Sequence, residues 1–241
     1  MDNFIGELLG TMFLIILGDG VVANVLLAKS KGENSGWIVI TTGWAMAVMV
    51  GVFVAISAGA PQADINPAVT LAKTVMKTYT ISQMVSTMLA QLIGAFLGAV
   101  VVWITYLGHW RETDDAGLKL GVFSTAPAIR NRTTNMITEI IGTIVLVMGV
   151  GAIFSGATAP NGPSVGLGPY LVGALVWGIG LSLGGPTGYA INPARDLGPR
   201  IAHQLLPIAG KGSSDWEYGW IPVVAPLIGG VIGAVLWQAF F

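Results

Sequence analysis

Two Asn-Pro-Ala triplets, Asn66-Pro67-Ala68 and Asn192-Pro193-Ala194, are the residues whose type and spacing could do chemistry together. Asn is a favoured helix N-cap, and Pro is favoured at the first helical position. Each triplet therefore reads as a helix start. Each follows a Gly/Pro-containing approach, residues 58–62 in one case and 184–188 in the other. A helix start presents unpaired N–H groups and about half a positive charge. Its chemistry is hydrogen-bond donation to an oxygen and repulsion of cations, with no bond made or broken. Arg195 directly follows the second triplet and adds a permanent charge with a fork of N–H donors. The other reading of Arg195 is an ion pair with the adjacent Asp196. His109 and His203 lie far apart, there is no cysteine, and no ligand spacing suggests a metal. No nucleophile–base pair or phosphate-cradling loop stands out. The sequence reads as no enzyme, with no catalytic residues, no cofactor and no metal.

The elements that must hold these residues are written in the composition. Of 241 residues, 54% are hydrophobic and only 10% charged, and mean hydropathy is +0.75. A soluble domain carries about 25% charged residues. So few charges exclude a soluble enzyme, a nucleic-acid binder and a disordered chain. The net charge of −1, without a basic tract, implies no polyanion partner.

A bilayer-spanning helix needs about 20 mostly apolar residues. Six stretches qualify: 4–28, 37–57, 81–107, 135–155, 168–184 and 220–241. The first lacks a basic leader region and carries Glu7, so it reads as a retained span. Segments 64–76 and 189–206 are apolar but too short to span, and read as re-entrant. Trp37, Trp103, Trp110, Trp216, Trp220 and Trp237 fall near span ends and read as interfacial anchors.

The chain is a repeat. Gly6-Glu7-Leu8-Leu9-Gly10-Thr11 matches Thr138-Glu139-Ile140-Ile141-Gly142-Thr143. Ile65-Asn66-Pro67-Ala68 matches Ile191-Asn192-Pro193-Ala194, and residues 91–100 match 226–235, all in the same order. One integral membrane domain, 1–241, thus contains repeats of about 1–107 and 135–241 joined by a loop, 108–134. Three spans per half is an odd number, so the halves have opposite polarity. The paired Gly94/Gly98 and Gly229/Gly233 read as close helix contacts.

Inverted symmetry brings the two short helices in from opposite sides, with their N-termini meeting at the membrane centre. Non-helical backbone at that depth needs protein or a water-filled path beside it. The sequence therefore predicts a polar path faced by Asn66 and Asn192. The carbonyls of Gln62, Ala63, Asp64 and Ile65, and those of Gly188, Ala190 and Ile191, are expected to line it as acceptors.

Over essentially its whole length the chain resembles the aquaporin (major intrinsic protein) family, and within it the glycerol-facilitator subgroup. The motifs are Glu7-Leu8-Leu9-Gly10-Thr11, Asn66-Pro67-Ala68-Val69-Thr70, Gly121-Val122-Phe123-Ser124-Thr125-Ala126-Pro127, and Gly188 through Asp196 around the second triplet. The resemblance implies an all-α integral membrane fold of six transmembrane helices and two re-entrant half-helices. It implies a homotetramer in the plasma membrane, embedded in lipid, with one pore per protomer and cytoplasmic termini. The charges run the other way. With that orientation only Lys73 and Lys77 lie inside, while Lys29, Lys31, Arg111, Lys119, Arg130, Arg132 and Lys211 lie outside, against the positive-inside tendency.

The resemblance further implies a selectivity filter of Arg195, Tyr189, Gly180 and a residue of the second span. Ungapped counting back from Asn66 puts that residue at Met46, with Trp44 the alternative. Water-selective relatives carry His where this chain has Gly180, and the smaller residue implies a wider, amphipathic slot suited to glycerol. The implied function is passive diffusion of glycerol, other small neutral solutes and water. Alternatives are a channel tuned to lactic acid, dihydroxyacetone or urea, a water-selective channel, or a coupled secondary transporter. Glu7 and Glu139 are expected to order the re-entrant loops. Asp64 stands where relatives have His, and reads either as a group tuning entry or as a turn cap. Asp19, in the first span, has no evident partner.

Overall fold

The computed structural model describes residues 3–240. The expected end of the sixth span at Phe241 lies outside them. Among the described residues, ten helices follow in order: α1 (Phe4–Leu26), α2 (Trp37–Ser57), α3 (Pro67–Val75), α4 (Ile81–Thr105), α5 (Ala116–Phe123), α6 (Arg132–Phe154), α7 (Leu167–Leu183), α8 (Pro193–Leu205), α9 (Trp216–Gly219) and α10 (Ile221–Phe240). α1, α2, α4, α6 and the α9–α10 unit are long and apolar enough to cross a membrane. α7, with 17 residues, is about 26 Å long, at the short end of the spanning range.

The starts of these helices are set by their caps. Asn66 and Asn192 accept from the first backbone N–H groups of α3 and α8, with Pro at the first helical position in both. Thr80 and Gln83 close a reciprocal capping box on α4, and Asn131 caps α6. Such caps satisfy N–H groups that lipid cannot.

The halves pack alike. α1 lies against α2 and α4, and α6 lies against α7 and α10. The short helices then cross over: α8 packs on α4 and α3 packs on α10. Glycines permit this approach. A Cβ at Gly94 would stand 2.2 Å from the Leu8 carbonyl oxygen of α1, and one at Gly230 would stand 2.6 Å from that of Ala68 in α3. Outward faces of the long helices stay apolar, as at Ile93, Leu97 and Ile104 of α4 and Ile137, Ile141 and Val145 of α6.

The linking segment 108–134 is more ordered than the sequence suggests. It contains α5, capped by Asp115, whose Leu120, Val122 and Phe123 are buried. Trp110, expected at the interface, is instead buried and stacked on Phe123 at 5.5 Å. Its indole N–H donates to the Trp103 carbonyl at 3.0 Å. α5 packs against α1 and α8, which brings its C-terminal end next to Arg195.

Candidate functional site

The N-termini of α3 and α8 meet at the centre of the molecule and lock each other. The Asn66 side-chain amide donates to the Ile191 carbonyl at 2.8 Å, and that of Asn192 donates to the Ile65 carbonyl at 2.8 Å. The amide oxygens are held by their own helices: Asn66 Oδ1 accepts from Ala68 N at 2.9 Å, and Asn192 Oδ1 from Ala194 N at 3.1 Å. An amide has two N–H donors. One of each pair is used in this lock, and both asparagines line the central cavity.

The approach segments carry unusual backbone. Ala63, Ile65, Tyr189 and Ile191 all have φ between 39° and 44°, a region that β-branched and bulky residues rarely enter. Two buried carboxylates hold them there. Glu7 accepts from the N–H groups of Asp64 and Ile65 at 2.7 and 2.8 Å. Glu139 accepts from those of Ala190 and Ile191 at 3.0 and 2.8 Å. Glu7 has a third donor in the Gln91 amide at 2.8 Å, at a position that the repeat fills with Pro226.

The cavity occupies about 500 Å³. Gln62, Ala63, Asp64 and Ile65 line it from one side, and Tyr189, Ala190 and Ile191 from the other. Gly188 is set back from it, with its N–H donating to the Gly184 carbonyl at 2.8 Å. Much of the remaining wall is aliphatic: Leu14, Val48, Val52, Val69, Leu146 and Val176.

Arg195 also lines this cavity. Its guanidinium lies 4.2 Å from the centre of the Trp44 ring, and Nη1 donates to the Phe123 carbonyl at 3.4 Å. The same Nη1 is 3.9 Å from Asp19 Oδ1, so the first-span acid does have a partner. Asp196 is not that partner. It accepts from Arg200 Nε at 2.7 Å and from the backbone and hydroxyl of Thr125 at 2.8 and 2.7 Å. Arg200, which the sequence reading passed over, is fully buried and also donates to the carbonyls of Ser214 and Thr125. Its i,i+4 spacing from Asp196 was the available signal.

Of the two second-span candidates, Trp44 faces the cavity and Met46 faces outward. Met46 is 48% exposed on the outer face, in a shallow groove with Val21, Ile38 and Thr42. Trp44 is buried and lines the central cavity. Two residues along a helix are about 200° apart, so only one of the two can face inward. Trp44, Val48, Val52 and Ile56, spaced by four, all line the cavity.

Gly180 does not line the cavity either. A Cβ there would stand 2.7 Å from Tyr189 Cζ, and one at Gly184 would stand 2.5 Å from Tyr189 Cδ1. The two glycines form a shelf that seats the Tyr189 ring. Trp37 closes the shelf edge-on at 5.8 Å and donates from its indole to the Gly180 carbonyl at 3.1 Å. Further along the cavity wall, Asp64 forms an ion pair with Lys73 and accepts from Thr70 Oγ1 at 2.9 Å.

Residues 1–237 match the family described as major intrinsic protein. The chain is 56% identical, over 241 residues and the full length of both chains, to a probable glycerol uptake facilitator protein of Thermotoga maritima. It is 52% identical over 236 residues to glycerol uptake facilitator protein 3 of Lactiplantibacillus plantarum, covering 98% of this chain and 95% of that one. Among solved structures, the aquaglyceroporin of Plasmodium falciparum superposes with a TM-score of 0.86 at 28% identity, covering 99% of this chain and 96% of that one.

Proposed function

The chain belongs to the major intrinsic protein family, and from that premise we propose that its central cavity is a passive path for glycerol, other small neutral solutes and water. It is a multi-pass membrane protein and not an enzyme. The observation that carries the reading is the division of the wall. Asn66, Asn192 and Arg195 supply donors, whereas Trp44, Val48, Val52 and Leu146 supply apolar surface. A polyol has hydroxyls on one edge and C–H groups on the other, so it can exchange its water shell for the donors while its carbon edge slides on the apolar wall. The strained carbonyl segments offer acceptors for the same hydroxyls. The paired helix N-termini carry positive partial charge at the centre, which opposes cations and protons.

We assign the selectivity filter to Trp44, Tyr189 and Arg195, with Gly180 acting through Tyr189. The repeats of about 1–107 and 135–241 form one channel domain around a single passage. The reading places both chain ends on the cytoplasmic side of the cell membrane and four copies in a homotetramer. Apolar outer faces would meet lipid or a neighbouring copy.

Stopped-flow light scattering on proteoliposomes tests the function. Fast glycerol entry that does not saturate and needs no ion gradient is the expected result; water entry without glycerol would overturn the glycerol assignment. The same assay tests the filter. Trp44→Ala is expected to change the ratio of glycerol to water flux several-fold, because the ring is both a wall and the seat of the guanidinium. Met46→Ala, on the outer face, is expected to leave that ratio where it was. The reverse pattern would return the second-span position to Met46.

A further inference from the structure

We propose that Asp19 is the counter-ion of the pore arginine, and that it makes the constriction electrically neutral so that the channel rejects small anions as well as cations. Asp19 is fully buried in α1. Its Oδ1 lies 3.9 Å from Arg195 Nη1, and neither carboxylate oxygen has a hydrogen-bond partner among the described residues. The neighbouring charges are already committed: Asp196 is taken by Thr125 and Arg200, and Arg200 by Asp196 and two carbonyls. Among the described residues, Arg195 has no other ion pair and neither has Asp19.

A carboxylate buried in a membrane span is costly, and its position marks function by default. Its field acts on Arg195 at short range across a poorly screened interior. Without Asp19, the guanidinium and the two helix N-termini would all be positive along one narrow path. Such a path repels cations but draws anions. With Asp19 in place the constriction adds no net charge, and an anion must shed its water there with no unbalanced charge at that point to replace it. Asp19 does not line the cavity; it acts on the permeant through Arg195 and is a positioning residue.

This inference rests on the channel reading, so its test measures glycerol, nitrate and potassium flux in the same proteoliposomes. Wild type is expected to pass glycerol and hold both ions. Asp19→Asn is expected to raise nitrate leak about tenfold or more, the size expected for one unbalanced charge near a pore, with potassium still held. Arg195→Val leaves Asp19 bare and is expected to leak potassium. The Asp19→Asn/Arg195→Val double variant buries neither charge and is expected to leak less nitrate than the first and less potassium than the second. Asp19→Asn protein that inserts, passes glycerol and stays tight to nitrate would overturn the inference, as would a double variant leaking potassium like Arg195→Val. Should the unpaired guanidinium prevent insertion of Asp19→Asn, the comparison of Arg195→Val with the double variant decides. Wild-type vesicles without glycerol flux would overturn the channel reading itself.

Discussion

Glu139→Gln is expected to remove most of the glycerol flux and to destabilise the protein by about 3–5 kcal/mol. The Glu139 carboxylate accepts from the Ala190 and Ile191 N–H groups, one on each oxygen. Gln keeps one acceptor and turns an NH2 group toward the other N–H. One charge-assisted bond worth about 1.5–3 kcal/mol is lost, and a buried N–H is left facing another donor at a cost of about 1–3 kcal/mol. These bonds also hold Tyr189 and Ile191 in the left-handed region, with φ of 39° and 41°. Such strain costs on the order of 1–3 kcal/mol per residue and persists only where the surroundings fix it.

When that segment relaxes, the Ile191 carbonyl leaves the Asn66 amide, and Tyr189 leaves its seat on Gly180 and Gly184. The damage therefore reaches the passage as well as the fold. Total stability of a domain is about 5–15 kcal/mol, so the loss is a large share. A melting temperature lowered on the order of 10 °C, together with flux per inserted molecule near that of empty vesicles, is the expected pair of readings. An unchanged melting temperature with full flux would show that the carboxylate does not hold the loop.

How much of this could be read before the fold depends on whether the signal is local. The caps at Asn66 and Asn192 are local chemistry, repeated, and the inverted repeat follows from counting spans, so the meeting of α3 and α8 was legible. Glu7 and Glu139 were legible as symmetry mates. Counting back from Asn66 lands on Met46 ahead of its alternative Trp44 because it crosses residues 58–65, an irregular loop with no fixed rise per residue. The four-residue series Trp44, Val48, Val52, Ile56 carries the right phase. It is hidden because both faces of α2 are apolar, one against the protein and one facing outward.

The pairing of Asp19 with Arg195 crosses much of the chain and leaves no spacing to read. α5 was missed for a different reason. It has eight residues, too few for periodicity to stand out, and tertiary contact with α1 and α8 holds it. That contact is also what places the Phe123 carbonyl against Arg195. The linking segment therefore supplies an acceptor to the Arg195 guanidinium, a role that its length and polar composition did not suggest.

Gly180→His is expected to cut glycerol flux by about tenfold or more, a barrier increase of at least about 1.4 kcal/mol, and water flux by much less. The sequence suggests a simple reason, a vacant wall at Gly180 that His would fill. The structure gives a different one. Any Cβ at Gly180 meets the Tyr189 ring at 2.7–3.0 Å, so even Gly180→Ala must move it. The ring cannot slide along α7, because Gly184 already lies under Cδ1 and Trp37 stands edge-on beside it. The free direction is the cavity, toward Trp44 and Arg195. Substitution thus narrows the passage with the tyrosine as well as with the new side chain. A water molecule, smaller than any polyol, tolerates that narrowing better. The two explanations separate in one comparison. If Tyr189 is the moving wall, Gly180→Ala alone lowers the glycerol-to-water ratio, and adding Tyr189→Ala raises it again. If the glycine were itself the wall, Gly180→Ala would barely change the ratio, and removing the tyrosine would act the same with or without it.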